Sequence, residues 1–113
     1  MKPADGKSVS ERGAQRLDKW LWYARFFKAR ERAAAFIEEG RVRLSRSGGA
    51  PERVLKASQL VRPGDVLTFA VGRAVWVLRI EAMATRRGPA QEARTLYAAL
   101  ASDGLATKDI FVT

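Results

Sequence analysis

The fold is decided by one stretch near the start of the chain, which reads Arg16-Leu-Asp-Lys-Trp-Leu-Trp-Tyr-Ala-Arg-Phe-Phe-Lys-Ala-Arg30. Apolar side chains recur there at intervals of three and four, and a lysine stem ends the stripe: Leu17, Trp20, Leu21, Ala24 and Lys28. Three further aromatic residues cluster on the opposite side: Trp22, Tyr23 and Phe26. Because a helix that is apolar on two sides is usually packed on two sides, the stretch predicts a buried helix over residues 16–28.

The next segments predict a second helix and the strand that follows it. Phe36 and Ile37 belong to the inner face of a helix over residues 30–39, and Gly40 stands where a left-handed residue commonly follows a helix. After Gly40 the period changes to two, because basic and apolar residues alternate over residues 41–44. That alternation predicts a half-buried strand with both of its arginines on the exposed face.

The remainder of the chain alternates turn signals with short apolar runs. These signals predict, in chain order, a loop over residues 45–53, a return strand over 54–56, a turn over 62–65, a hairpin of strands over 66–71 and 75–82, and a last helix over 90–101 that Gly104 ends. The order predicts an α+β fold, in which two N-terminal helices pack on a small, mostly antiparallel sheet and a C-terminal helical extension follows. We expect a flexible tail over residues 1–15, the main domain over 16–84, the extension over 85–104 and a second tail over 105–113.

Composition excludes several classes of site. The 113 residues include no cysteine and no histidine, which excludes disulfides, Cys/His zinc sites, Ser-His-Asp triads and Cys-His dyads. No pair of acidic residues has a spacing that indicates a metal site, so we expect neither an enzyme nor a cofactor. No run reaches the roughly 18 apolar residues of a membrane span, and the N-terminus is unlike a signal peptide. We therefore expect a cytoplasmic protein.

The formal net charge of +9 predicts a polyanionic partner. Residues 1–60 carry 14 basic and 7 acidic side chains, whereas residues 61–113 carry 7 and 5, so the first half should hold the binding face. Arginine outnumbers lysine by 15 to 6, and guanidinium groups bind phosphate bidentately and stack on bases. A high-GC genome would enrich arginine too. The charge and the arginine bias therefore predict a nucleic-acid partner, and weak DNA binding is one expectation.

Three cations stand at the head of the second helix: Lys28, Arg30 and Arg32. Each is unfavourable there by roughly 0.3–1 kcal/mol, because a helix N-terminus is partly positive. A phosphate bound among them would offset that cost and accept hydrogen bonds from the free backbone N–H groups. The structural alternative is that Arg32 pairs with Glu39 or faces solvent, while Arg30 pairs with a neighbouring carboxylate.

These cations belong to a larger candidate RNA surface across both helices and the following strand. Its predicted members are Arg16, Lys19, Lys28, Arg30, Arg32, Arg41, Arg43 and Lys56, which Arg53 could join. The aromatic residues are open to two interpretations: Trp22, Tyr23 and Phe26 either stack on bases beside the cations or pack in the core. For Trp20 and Phe27 we favour the core.

Four segments in this order, residues 16–30, 33–37, 40–44 and 61–65, resemble the RNA-binding domain of small-subunit ribosomal protein four, also called the alpha-L motif. The Asp-Lys-Trp-Leu-Trp run from Asp18, together with residues 86–97, is similar to small ribosome-associated heat-shock proteins of about fifteen kilodaltons. The resemblance implies an alpha-L fold whose RNA face falls on Arg16, Lys19, Lys28, Arg30, Arg32, Arg41 and Arg43. Two departures are Ala29, where the family has Ser or Thr, and residues 45–53, where it has a short Asn-Gly turn.

The resemblance also implies a function. It indicates binding to free large ribosomal subunits that still hold a nascent chain on transfer RNA, which aids their recycling under heat stress. We expect a monomer in which joint replacement of Arg30 and Arg32 by Glu removes RNA affinity and spares the fold. Two alternatives are a general nucleic-acid-binding protein or RNA chaperone, and a protein-interaction adaptor that uses the aromatic face of the first helix.

Overall fold

The computed structural model describes residues 13–46 and 49–100. The predictions for residues 1–12 and 101–113, including the helix stop at Gly104, lie outside these ranges. The described elements are β1 (Gln15–Arg16), α1 (Leu17–Tyr23), α2 (Arg30–Glu38), β2 (Val42–Ser45), β3 (Glu52–Val54), β4 (Leu60–Val61), β5 (Val66–Val71), β6 (Ala74–Ile80), α3 (Ala90–Ala93), a 3-10 turn (Arg94–Leu96) and β7 (Tyr97–Ala99).

Five of the strands form one antiparallel sheet in the order β3-β2-β5-β6-β7, and β1 pairs with β4 in a separate two-stranded sheet. The predicted hairpin of β5 and β6 is present, and Gly72 supplies the left-handed turn residue with φ of 62°. Helix α2 and strand β2 also lie where the sequence predicted them, from the change in apolar spacing after Gly40. The molecule has the expected α+β fold.

The core lies between the two helices and one face of the sheet. Trp20 of α1, Ile37 of α2 and Leu67 of β5 are completely buried. On β2 the side chains of Val42 and Leu44 point inward, and Arg43 between them is exposed, as the period of two predicted. None of the helices in the described ranges is long and apolar enough to cross a membrane.

Helix α1 ends at Tyr23, so the prediction of a helix to residue 28 is wrong. Arg25 has φ of 69°, in the left-handed region. Its N–H donates to the Trp22 carbonyl at 3.0 Å, and the N–H of Phe26 donates to the Leu21 carbonyl at 3.1 Å. Many helices end with this pair of backbone hydrogen bonds, and glycine usually occupies the left-handed position. The end of α1 could not be predicted from the sequence, because an arginine and not a glycine occupies the left-handed position here.

The chain after Gly88 is not the helix predicted over residues 90–101. One helical turn and one 3-10 turn lead instead into strand β7, which pairs with the edge of β6. Tyr97 lies opposite Ile80 in this pairing, and its ring centroid lies 5.8 Å from that of Trp76. Pairing with an open sheet edge and packing against aromatic rings outweigh the helix propensity of an alanine-rich segment.

Two other boundaries differ from expectation. The return strand is β3 (Glu52–Val54), so Lys56 lies beyond it in a turn. The chain is already packed at Gln15, within the expected N-terminal tail, where the side chain is 2% exposed. Its Nε2 donates to the Ala84 carbonyl at 2.7 Å, which ties the start of the domain to the segment after β6.

Candidate nucleic-acid interface

A buried aspartate organises the heads of both helices. Asp18, in the first turn of α1, is 3% exposed, and its Oδ1 accepts a 2.7 Å hydrogen bond from the backbone N–H of Lys19. Its two carboxylate oxygens also accept from Nε and Nη2 of Arg16, at 3.1 and 3.0 Å. Nε of Arg30 lies 3.5 Å from Oδ2 of the same carboxylate. One buried acid thus holds two guanidinium groups together, an arrangement we call the Asp18 clamp.

Both arginines of the clamp remain partly open to solvent. Hydrogen bonding and the charge of Asp18 raise the pKa of Arg16 above its usual value, although burial opposes this. The side chains of Arg16 and Arg30 remain 46% and 38% exposed. A guanidinium group has five N–H donors, so a group that shares one carboxylate keeps donors for a phosphate. The clamp therefore fixes the position of two cations without using up their hydrogen bonds.

Arg30 and Arg32, at the head of α2, were expected either to contact a phosphate or, in the structural alternative, to pair with a carboxylate or face solvent. The structure gives a different result for each of them. Arg30 has the neighbouring carboxylate that the structural alternative required, in Asp18. Arg32 is exposed and forms no ion pair with any described residue, while Glu39 pairs with Arg41 at 3.4 Å instead. No side chain caps the helix at Ala29, so the first backbone N–H groups of α2 lack a side-chain acceptor.

A second group of cations lies near the other end of α2, about 13 Å along the helix. Arg43 on β2 lies directly opposite Arg53 on β3, and both side chains are exposed. Arg53 also crosses Gly40, because its Cδ lies 2.9 Å from the position that a Cβ there would take. Arg41 stacks on Phe36, with Cζ 4.6 Å from the ring centroid. Like charges placed directly opposite in a sheet are unfavourable, so this pair suits a site that meets an anion.

The predicted surface thus falls into two groups, one at the clamp and one where β2 meets β3. Arg16 and Arg30 meet at the clamp, with Lys19 beside them on α1. Arg43 joins Arg53 across the sheet. Lys28 and Lys56 are exposed, and neither forms an ion pair within the described ranges. Arg46 has a structural role, because its Nε lies 3.7 Å from the buried carboxylate of Asp65.

The base-stacking prediction is wrong for Tyr23, whereas Phe26 is half-buried and keeps part of its surface exposed. Tyr23 is 7% exposed. The ring of Phe26 packs among those of Phe69, Trp76 and Tyr97, with centroids 5.0 to 5.1 Å apart. Trp22 is half-buried and stacks on Tyr23. The core alternative holds for Tyr23. The ring partners of Phe26 come from β5, β6 and β7, which helical periodicity cannot reveal.

The expected core roles of Trp20 and Phe27 are confirmed. Trp20 is completely buried and its Nε1 donates to the Ala82 carbonyl at 2.9 Å. Phe27 packs against Phe36, with ring centroids 4.9 Å apart.

Sequence reasoning missed Asp18 and a pair of arginines at the end of α1. The guanidinium of Arg87 donates to the carbonyls of Trp22 and Phe27, at 3.0 and 3.1 Å, and that of Arg25 donates to the Gly88 carbonyl at 2.8 Å. Burial, followed by the charge of Arg25, lowers the pKa of Arg87. The one available signal for Asp18 was an acid placed between Arg16 and Lys19 in a basic stretch.

Comparison with known proteins gives a consistent set of relatives, although no family model matches the chain. Heat shock protein 15 homolog of Haemophilus influenzae is 39% identical over 82 residues, which are 73% of this chain and 58% of that protein. Heat shock protein 15 of Escherichia coli K12 is 38% identical over 82 residues, 73% of this chain and 57% of that protein. The match therefore spans less than three fifths of these relatives' length.

A solved structure gives a more complete match. The structure of Vibrio cholerae heat shock protein 15, described as trimeric, superposes with a TM-score of 0.69 at 33% sequence identity. The match covers 88% of this chain and 95% of that one.

Proposed function

The chain belongs to the heat shock protein 15 family, and from this membership and the basic surface we propose that it is an RNA-binding protein that associates with the large ribosomal subunit. Under heat stress it aids the recycling of stalled subunits that carry a nascent chain on transfer RNA. The ribosomal part of this proposal rests on the resemblance to small ribosome-associated heat-shock proteins. The RNA-binding part rests on the described geometry.

The Asp18 clamp is the observation that carries RNA binding. A buried carboxylate holds the guanidinium groups of Arg16 and Arg30 beside each other at the uncapped head of α2. Neighbouring cations and free backbone N–H groups together favour a phosphate at this point. Arg32 in the same turn adds a cation with no ion-pair partner among the described residues.

The second group supports the same role at a distance suited to an extended polyanion. Arg43 and Arg53 face each other across β2 and β3 near the opposite end of α2. Two clusters of cations separated by about 13 Å of helix can contact phosphates several nucleotides apart. The proposed interface therefore follows an RNA backbone rather than enclosing a single ion.

One observation favours the second candidate, a general nucleic-acid-binding protein or RNA chaperone. Tyr23 is buried and the ring of Phe26 packs mainly against other aromatic rings, so the two cation groups offer phosphate contacts and little base readout. Phosphate contacts position a protein but carry no sequence information. On this reading, preference for a ribosomal site comes from RNA shape.

Cosedimentation distinguishes the two candidates. The proposal predicts that the protein sediments with isolated large subunits in a sucrose gradient and not with small subunits. Excess transfer RNA or duplex DNA should not displace it. Protein that stays at the top of the gradient at low salt contradicts the proposal, and equal displacement by every nucleic acid supports the general binder. Light scattering on the free protein separates the expected monomer from the trimer described for the Vibrio cholerae relative.

A further inference from the structure

A cavity of about 290 Å³ lies where the end of α1 meets strands β6 and β7 and helix α3. Its wall includes three aromatic rings, those of Phe26, Trp76 and Tyr97, and two arginine side chains, those of Arg25 and Arg94. The volume is at the lower end of the roughly 300–1,000 Å³ usual for small-molecule sites, which suits a single ring system. None of the described residues that line it is acidic.

The three rings form a rigid wall that is partly open. Phe26 and Trp76 meet edge to face with centroids 5.0 Å apart, and Trp76 and Tyr97 do so at 5.8 Å. Each of the three side chains keeps part of its surface exposed. Mutual edge-to-face packing fixes the rings and leaves exposed aromatic surface available to a further planar group.

Arg25 is placed at this cavity by an unfavourable backbone conformation. Its φ of 69° lies in the region where glycine is preferred, so an arginine there carries a conformational cost that glycine avoids. One guanidinium N–H donates to Gly88, which leaves further donors. Arg94 lines the same cavity as Tyr97, and its charge partly opposes the rise in the pKa of Tyr97 that burial causes. Arg25 and Arg94 have no ion-pair partner among the described residues, so both charges are available to an anion.

We propose that this cavity receives one unstacked nucleotide of the bound RNA, with the base against the aromatic wall and its phosphate between Arg25 and Arg94. A nucleotide joins a planar aromatic ring to an anion, which is the combination that the wall offers. Arg25 lies in the short segment between α1 and α2, and Arg30 is the first residue after that segment. The inference rests on the proposed RNA binding, and it adds a base contact that the basic surface lacks.

The test compares two RNA hairpins that differ only in one unpaired 2-aminopurine nucleotide, bulged in the first and absent from the second. Wild-type protein should bind the bulged hairpin about 10-fold more tightly, which is within the effect of stacking one base. Fluorescence of the 2-aminopurine should also change on binding, because its stacking environment changes.

Arg25→Gly with Arg94→Gln removes both cavity cations and keeps a residue suited to the left-handed position. This variant should lose the preference and bind both hairpins equally. Arg32→Gln with Arg43→Gln is the matched control of equal charge loss, and it should weaken both hairpins while the preference remains. Urea unfolding of each variant confirms that the fold is intact.

The outcomes separate the two claims. Equal binding of the two hairpins by wild type overturns the nucleotide cavity and leaves RNA binding standing, as does an unchanged preference in the Arg25→Gly, Arg94→Gln variant. Failure of wild type to bind either hairpin or isolated subunits overturns the proposed function itself, and the cavity with it.

Discussion

Asp18 and Arg30 are joined by an ion pair across 12 positions of sequence, with Oδ2 of Asp18 3.5 Å from Nε of Arg30. The pair connects the first turn of α1 to the first residue of α2. It therefore gives Arg30 two roles, one in holding the helices together and one as a proposed phosphate contact. Arg32, two positions on, has only the second role among the described contacts.

This difference revises the expectation that Arg30 and Arg32 can both be replaced by Glu without loss of stability. Arg30→Glu places a second carboxylate beside the buried Asp18, which should lower the free energy of unfolding by about 1–2 kcal/mol. Arg32→Glu should change it by less than about 0.5 kcal/mol, since the side chain is exposed and an acid is favoured in a first helical turn. Urea unfolding of the two single variants measures the difference. Equal stability would show that the ion pair does not hold the helices.

The left-handed residue at the end of α1 permits a prediction about stability. Arg25→Ala and Arg25→Gly both remove the hydrogen bond to Gly88, but only glycine adopts φ of 69° without steric cost. The glycine variant should therefore be more stable than the alanine variant by about 1 kcal/mol. Thermal or urea unfolding of the pair measures this, and an alanine variant as stable as the glycine one contradicts the assigned helix end.

Arg87 closes the same helix end by bonding two carbonyl groups, those of Trp22 and Phe27. A lysine ammonium group cannot donate to both carbonyl groups in the planar geometry of a guanidinium group. Arg87→Lys should therefore lower the free energy of unfolding by about 1 kcal/mol, and Arg87→Ala by about 2 kcal/mol. Arg86→Lys is the matched control, because Arg86 makes an exposed ion pair with Glu92 that lysine can replace. Unfolding of Arg86→Lys and Arg87→Lys at the same urea concentration would show that Arg87 does not stabilise this helix end.

The structure also predicts how stability changes at alkaline pH. Burial raises the pKa of Tyr97, with the nearby charge of Arg94 opposing the shift. The unfolded chain then loses this proton first as pH rises above the usual value near 10, so the contribution is present below that pH and is lost above it. Between about pH 9 and pH 11, the free energy of unfolding should fall more for wild type than for Tyr97→Phe. Parallel curves for the two proteins would show that the hydroxyl is not shielded.

The regular elements could be predicted because their signals are local. The period of two places Val42 and Leu44 inward, and Gly40, with φ of 78°, follows α2 as predicted. The misplaced elements depend on contacts distant in sequence. Nothing near Tyr97 in the chain reveals that β6 leaves an edge for it to pair with.

The sequence could predict which residues are candidates for the site, but not how they contact one another. Charge alone identified Arg16, Arg30 and Arg43, because exposed cations need no partner to be recognised. It could not show that Asp18 links Arg16 to Arg30, or that Arg43 faces Arg53, since both relationships are set by the packing of separate elements. The same limit applies to Phe26, whose ring partners lie on three different strands.

The most direct test of the central claim is the salt dependence of binding to isolated large ribosomal subunits. Arg32→Gln with Arg43→Gln removes one proposed phosphate contact from each cation group. Arg79→Gln with Arg86→Gln removes the same charge from two exposed ion pairs, with Glu81 and Glu92, that belong to neither group. The first variant should reduce the slope of log affinity against log salt by about 1.4 to 1.8, since each contact contributes about 0.7 to 0.9. The second should leave the slope as in wild type. Equal slopes for both variants would contradict the assignment of this surface to RNA.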